Sequence, residues 1–569
     1  MKAKRNFLGL CALLCGLTAT AAEAPVTFNK EIAPVVFKNC ATCHRPGQAG
    51  PFSLLNYADV KKHAKEIAAV TARRYMPPWL PESAPGEFIG DRRLADAQIQ
   101  LFQRWLDAGT PEGNAADLPA LPTWPSDWQL GKPDLIVTMP KAYTLAADGH
   151  DVYRNFVIPA ALTASRTVRA VEFRPDNRRI VHHAFLEIDY TGSAKALEGG
   201  DGAPGFPGMI LPQGVRMPTG YSLSWQPGKM AMFEPPGFGW TLQPGQDLVL
   251  RTHLRTTGKP ETLQAQIGFY FTDTAPTNIT YTISLSSLNI DIPAGATNYP
   301  LESGFLLPVA VDLLNVLPHA HYLGKQLEGY ALLPNGTSQR LIRIPDWDFN
   351  WQGDYRYTKP IHLPAGTTLQ MRYSYDNSAA NPHNPSQPPK PVRFGPQSSD
   401  EMGELWFQVR LNNAEDAKRL NAAYTEKHAR VFADYAAFRL ERDPRDAKAR
   451  TDLGMYQFSH RKFAEALATF QQAAKDDPNF DQPHYYLGYL YRLQNRVPEA
   501  RTELETALRL NPKNAEAHGT LGFILLQTGE LVPAEQHLTE ALRLNPADQM
   551  AKRGLEKIQQ SKAASPQGK

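Results

Sequence analysis

Residues 316–325 read Val316-Leu317-Pro318-His319-Ala320-His321-Tyr322-Leu323-Gly324-Lys325, two histidines one residue apart behind a proline. On a strand, residues i and i+2 project from the same face, so His319 and His321 can hold one metal between them. The strand reading extends in both directions. From residue 125 to about 411 the segments "DLIVTMP", "NFVIP", "TVRAVEFRP", "HHAFLEID", "DLVLRTHLRT", "AQIGFYFT", "TLQMRYSYD" and "GELWFQVRL" alternate apolar with polar residues between Gly and Pro turns. Helical periodicity is largely absent there. Short strands over so long a span imply two packed β-sandwiches rather than one, placed at 131–280 and 281–412.

The remaining chain is of different character. At 569 residues it exceeds a single core, and about 150 residues per domain leaves room for three to four domains. A net charge of +3 gives no basis for a nucleic-acid partner. The first 24 residues carry a basic start, an apolar run from Phe7 to Leu17 and small residues at Ala19-Thr20-Ala21. That is the layout of a cleaved secretory signal, too short to span a bilayer. Lipoprotein processing at Cys15 is the rival, disfavoured by the bulky Leu14 before it. No later stretch approaches about 20 uninterrupted apolar residues, so the expectation is a periplasmic or secreted protein without a transmembrane segment.

Signal cleavage removes Cys11 and Cys15 and leaves Cys40 and Cys43, in Cys40-Ala41-Thr42-Cys43-His44. C-x-x-C-H is the spacing for covalent c-type haem attachment: each thiol forms a thioether to a vinyl group and the adjoining His44 reaches the iron. A zinc dithiol is the alternative, but no second cysteine pair completes it. Met76, in the proline-braced "RRYMPPW" after a helical stretch from Asp59 to Thr71, is the expected sixth ligand. His63 competes, although its neighbours Lys61, Lys62, Lys65 and Glu66 read as a solvated helix face. The amphipathic "LADAQIQLFQRWLDAG" closes a small all-α haem domain, 25–115, and 116–130 reads as a linker.

After a helical connector at 413–444, residues 445–562 repeat with a period of 34. Leu453-Gly454, Leu487-Gly488 and Leu521-Gly522 recur at that interval, as do Ala466, Ala500 and Ala534, and Pro444, Pro478, Pro512 and Pro546. Small residues let paired helices cross closely, and the pattern resembles the tetratricopeptide family: an α-solenoid of three repeats with a capping helix. Its expected use is a concave surface for a protein or peptide partner. His460, His484, His518 and His537 form no catalytic grouping there.

The central histidines fall into groups: His182 and His183, then His253, then His319 and His321, with Met402 behind the acidic pair Asp400 and Glu401. Adjacent strand residues face opposite ways, so His182 and His183 share a metal only at a strand end or a bulge. Two imidazoles with a thioether form a soft set that selects copper, whereas three imidazoles suit zinc or copper.

In order and context these residues, together with "LPAGTTLQMRYSYDNSAANPHNP", resemble the copper type II, ascorbate-dependent monooxygenases, over about 285 residues. That resemblance implies jelly-roll-like sandwiches and two coppers: an electron-storing one on His182, His183 and His253, and an oxygen-activating one on His319, His321 and Met402. It also implies that the two face each other across a solvent-filled cleft, and that O2 activation leads to hydroxylation of a substrate C–H bond. The disulfides of the animal enzymes are absent. Where the peptide-amidating members carry arginine, asparagine and tyrosine, this chain has Leu317, Glu404 and Trp406, which speaks against a peptide and for a small neutral or cationic organic substrate. The fused haem would relay electrons from an ascorbate-like reductant or another periplasmic redox protein. The alternative is an exported electron-transfer or copper-binding protein without monooxygenase activity, docking a partner through its repeats.

Overall fold

The computed structural model describes residues 25–564 other than 49, 125–127, 210, 213, 219–223 and 546–547. The expected signal segment, with Cys11 and Cys15, lies outside the described residues, as does Pro546. The chain divides into two compact units: Met1–Pro78 with Arg92–Thr123, and Trp79–Asp91 with Trp124–Lys569.

In the first unit the helices Ala33–Asn39, Tyr57–Lys62, Ala64–Ala72 and Asp96–Asp107 enclose a core that includes Phe28, Ile32, Val36, Ile67, Phe102 and Trp105. The Asn56 side chain caps its helix by accepting from the Asp59 amide at 2.9 Å. The single helical stretch expected over Asp59 to Thr71 is interrupted at His63, whose ψ of 10° leaves the helical region.

The haem domain was expected as one continuous run, and here the fold differs. Trp79–Asp91 leaves the helices and packs with the second sandwich. Its prolines exclude it from a helix, its backbone pairs with Arg343 at Glu82 and with Arg356 at Ile89, and Phe88 enters the sandwich core beside Tyr357, ring centroids 4.9 Å apart. The partner strand, Tyr355–Leu363, is the last of its sheet, so this segment covers an otherwise open edge.

The first sandwich pairs one sheet, ordered Leu135–Thr138, Gln266–Thr272, Arg166–Arg174, Trp240–Leu242, with another centred on Asp247–Leu254 between Val152–Pro159 and Val181–Asp189. Val137, Ile267 and Phe269 from one sheet share a core with Phe156, Leu186 and Leu250 from the other. In the second sandwich the sheet Ile279–Ser286, Gly403–Leu411, Val311–Ala320, Tyr355–Leu363 lies against Tyr299–Leu306, Thr368–Tyr375, Gly324–Leu332, Ser338–Ile344. Strand alternation is clean along Gly403–Leu411: Leu405, Phe407, Val409 and Leu411 are buried in the core, and Glu404, Trp406, Gln408 and Arg410 occupy the opposite face.

A 29-residue helix, Ala414–Arg442, leaves the second sandwich. The Ser284 amide donates to the Tyr424 hydroxyl at 3.0 Å, and the Arg442 guanidinium donates to Asp291 at 2.9 Å. The repeats follow as helix pairs Ala447–Ser459 with Phe463–Asp476, Asp481–Leu493 with Val497–Leu510 and Ala515–Gln527 with Leu531–Leu544, then Gln549–Ala564. The periodic Ala466, Ala500 and Ala534 are fully buried between helices. Among the described residues no helix is long and apolar enough to cross a membrane.

Candidate metal centre

The sequence posed a geometric demand at His182-His183, and the backbone meets it. His253 pairs with His183, but the next residue, Leu254, pairs with Val181, so His182 is the extra residue of a β-bulge. The bulge turns both neighbouring imidazoles to one side: His182, His183 and His253 have ring centroids 4.9–5.4 Å apart. Tyr153 stacks on His253 at 4.3 Å and Phe349 on His182 at 4.4 Å.

Asp151 accepts from His253 Nε2 at 3.0 Å. That leaves the His253 Nδ1 lone pair facing His183 Nε2 at 3.2 Å. Burial works against the Asp151 charge, but donors from His253 and Ser398 hold its carboxyl down at about 2. Ser398 belongs to the loop that leads to Met402, so Asp151 ties the two histidine sets together.

His319 is the penultimate residue of the strand Val311–Ala320 and His321 lies just past it, ring centroids 5.3 Å apart. His321 donates through Nδ1 to the Asp400 carbonyl at 3.2 Å, leaving Nε2 buried without a partner; His183 Nδ1 is likewise orphaned. Burial lowers the pKa of all five imidazoles, and those of His182, His183 and His321 fall well below the usual value. Neutral imidazole is the metal-binding form. Met402 is 4% exposed. Glu401 accepts from its amide at 2.8 Å and also from the His321 amide.

The two sets do not stand across an open, solvent-filled cleft as the resemblance implied. The outer faces of the two sheets meet, and His183 and His319 lie 6.2 Å apart by ring centroid. Gln352 reaches both sets, 3.0 Å from His319 Nδ1 and 3.3 Å from His182 Nε2. The sandwiches are clamped by two ion pairs, Lys229 with Asp354 at 2.5 Å and Arg356 with Glu234 at 2.9 Å. Among the described residues no three His, Cys, Asp or Glu side chains form a closed ligand set in this arrangement. Donor chemistry and the two orphaned nitrogens nevertheless fit a soft metal.

Further along the same sheet face, a small half-open cavity of about 60 Å³ lies between the sandwiches, walled by Phe185, Met217, Leu317 and Trp406 with Ser224, Thr282, Asn315, Asp354 and Gln408. Glu404 pairs across the strands with His319 and accepts from Trp406 Nε1 at 3.1 Å.

In the helical unit Cys40 and Cys43 are unbridged thiols. Burial, with the neighbouring Cys43, pushes the Cys40 thiol up to about 12. His44 donates through Nδ1 to the Phe52 carbonyl at 3.2 Å, which leaves Nε2 for an axial bond. Gly50 is required beside the motif: a Cβ there would lie 2.7 Å from the Cys43 carbonyl oxygen and 2.9 Å from His44 Cα. Phe52 lies between the two histidines, 4.9 Å from His44 and stacked on His63 at 3.7 Å. Met76 is half-buried, and its amide donates to the Val70 carbonyl at 3.3 Å.

Asp151, Gln352, Phe349 and Glu401 were not singled out as site residues from sequence. Only Glu401 had a visible signal, its adjacency to Met402. The others approach through long-range folding.

The C-terminal region matches tetratricopeptide-repeat family models, one over residues 488–529 and another over 409–479 and 451–504. The second match begins upstream of 445 and takes in the long helix read from sequence as a connector. No curated protein sequence matches the chain. Solved structures similar to it include the first tetratricopeptide domain of Spaghetti (RPAP3) bound to an HSP90 peptide, at 22% identity and a TM-score of 0.21, covering 21% of this chain and 97% of that one. The Arabidopsis OM64 tetratricopeptide domain matches at 15% identity and a TM-score of 0.20, covering 20% and 95%. The repeats rest on the family models alone.

Proposed function

We propose that the chain is an exported copper-dependent monooxygenase that hydroxylates a C–H bond of a small organic substrate with O2 and draws its electrons through a covalently bound c-type haem. The observation that carries this reading is the convergence of five neutral imidazoles from two sandwiches, with His183 Nδ1 and His321 Nε2 buried and unpartnered. His182, His183 and His253 would hold one copper, and His319, His321 and Met402 the other. Cys40, Cys43 and His44 would hold the haem, with Met76 as sixth ligand. Copper on the thioether set supplies oxygen activation, copper on the imidazole set one-electron storage, and the haem one-electron delivery.

The protein's part is to orient and to exclude water. Asp151 keeps the proton of His253 on Nε2, so Nδ1 stays available. The Asp400 carbonyl does the same for Nδ1 of His321. The clamped interface buries His182, His183, His253 and His321 and leaves His319 partly exposed, and the apolar wall formed by Phe185, Met217, Leu317 and Trp406 suits a small apolar or aromatic molecule. The lining also includes Asp354, whose carboxylate is paired with Lys229 at 2.5 Å. The repeats offer a protein or peptide partner a docking surface.

The test is oxygen-dependent product formation by the reduced, copper-loaded protein, compared with Met402→Ala. Loss of hydroxylated product in the variant supports the reading. A variant that forms product at the original rate removes Met402 from the oxygen-activating set, and a parent that forms none while still passing electrons favours a copper-binding electron carrier instead. Stopped-flow mixing of reduced protein with O2 tests the relay: haem that stays reduced through turnover contradicts it.

A further inference from the structure

Residues 400–402 do more than bring a methionine near two histidines. Glu401 is fully buried, yet the donors to its carboxylate are backbone amides: His321, Leu323 at 3.0 Å and Met402 at 2.8 Å. A carboxylate placed this deep at such cost earns an explanation in what it holds. One of its oxygens takes both the His321 and the Met402 amide, and the other takes Leu323.

The chain around it is fixed independently. The Glu401 amide donates to the Arg393 carbonyl at 3.0 Å, and the Tyr375 hydroxyl donates to the Met402 carbonyl at 2.8 Å. Trp347 Nε1 donates to the His321 carbonyl at 3.0 Å. Two chain segments 80 residues apart in sequence are thereby held at one carboxylate, and each carries part of the thioether ligand set.

We propose that Glu401 is the positioning residue of the His319, His321 and Met402 set: its carboxylate fixes the distance between the His-x-His backbone and the methionine, and so decides whether imidazole and thioether reach the same copper. The inference rests on the copper reading above. No amide of the His182, His183 and His253 set donates to Glu401, so losing it weakens the thioether set far more than the imidazole set.

The experiment titrates the purified, copper-free full chain anaerobically with Cu(I) against a chromogenic chelator, and records copper X-ray absorption, for the parent, Glu401→Gln, Glu401→Asp and Met402→Ala. Gln is isosteric but presents an amide N–H2 where a second acceptor is needed, whereas Asp keeps the charge and withdraws it by one methylene. The parent binds two coppers and shows copper–sulfur scattering. Glu401→Gln keeps one copper at parental affinity, binds the second about 10- to 100-fold more weakly, and loses the sulfur signal as Met402→Ala does. Amides of the segments around His321 and Met402 exchange hydrogen faster in copper-free Glu401→Gln than in the parent. If Glu401→Gln does not fold, Glu401→Asp carries the same comparison with a smaller loss.

Two coppers at parental affinity with sulfur scattering intact in either variant overturns the positioning role and leaves the copper reading standing. Equal weakening of both sites also overturns it, by showing a general structural role. A parent that binds no copper overturns the reading on which the inference rests.

Discussion

Replacing Arg356 with methionine breaks one of the two clamps between the sandwiches. Glu234 is 9% exposed overall, and its carboxylate accepts from both Arg356 amino groups, at 2.9 and 3.1 Å. Burial raises the Glu234 pKa above the usual carboxylate range even with the guanidinium opposing it. Removing the cation strands a buried charge, which costs about 3–5 kcal/mol. At roughly 2–4 °C per kcal/mol for a domain of this size, the sandwich transition falls by about 6–20 °C. The penalty depends on pH. A folded-state pKa above the unfolded value means that the folded variant binds the proton more tightly. The loss is therefore greatest above the raised pKa and shrinks as pH falls toward about 4.3, the unfolded value. Thermal unfolding of Arg356→Met between pH 5 and 8 checks this, beside the double variant Glu234→Leu with Arg356→Met, which recovers most of the loss because no charge is left stranded. A single-variant loss under about 1 kcal/mol, or a double variant no more stable than the single, would refute the clamp.

Two further outcomes follow from the same contacts. Asp151→Asn removes the carboxylate that orients His253, so copper affinity of the three-imidazole set falls about 10- to 100-fold while the thioether set keeps its copper, as read by chelator competition. Gly488→Val drives a Cβ to 2.6 Å from Leu504 Cγ and destabilises the repeats by about 1–3 kcal/mol, seen as earlier urea unfolding of the helical signal with the sandwiches unmoved.

What was legible in the sequence follows from period. The 34-residue spacing of Gly454, Gly488 and Gly522 is local, because each glycine meets a residue 16 positions on: Phe470, Leu504 and Leu538. Strand alternation in "GELWFQVRL" is likewise local, and the buried face is Leu405, Phe407, Val409 and Leu411. The doublet His182-His183 announced that a bulge was needed, and the ladder skips His182.

The rest depended on chain segments meeting at a distance. Asp151 reaches His253 across 102 residues and Gln352 reaches His182 across 170, and no spacing rule links such positions. The Trp79–Asp91 segment reads as a proline-rich loop of the helical unit. Its place under the second sandwich is decided by an edge strand 271 residues later, where Glu87 and Thr358 pair. The closed approach of the two histidine sets is a property of two sheet faces packing together, which neither sheet's sequence states alone.

The most direct test of the account is metal content with copper X-ray absorption on the full-length protein, purified from an exporting host and reduced under anaerobic conditions. The account predicts one iron and two coppers per chain, nitrogen-dominated coordination with one sulfur scatterer, and loss of that sulfur in Met402→Ala. A protein that takes up no copper under these conditions, or whose copper spectrum is unchanged in Met402→Ala, would contradict it.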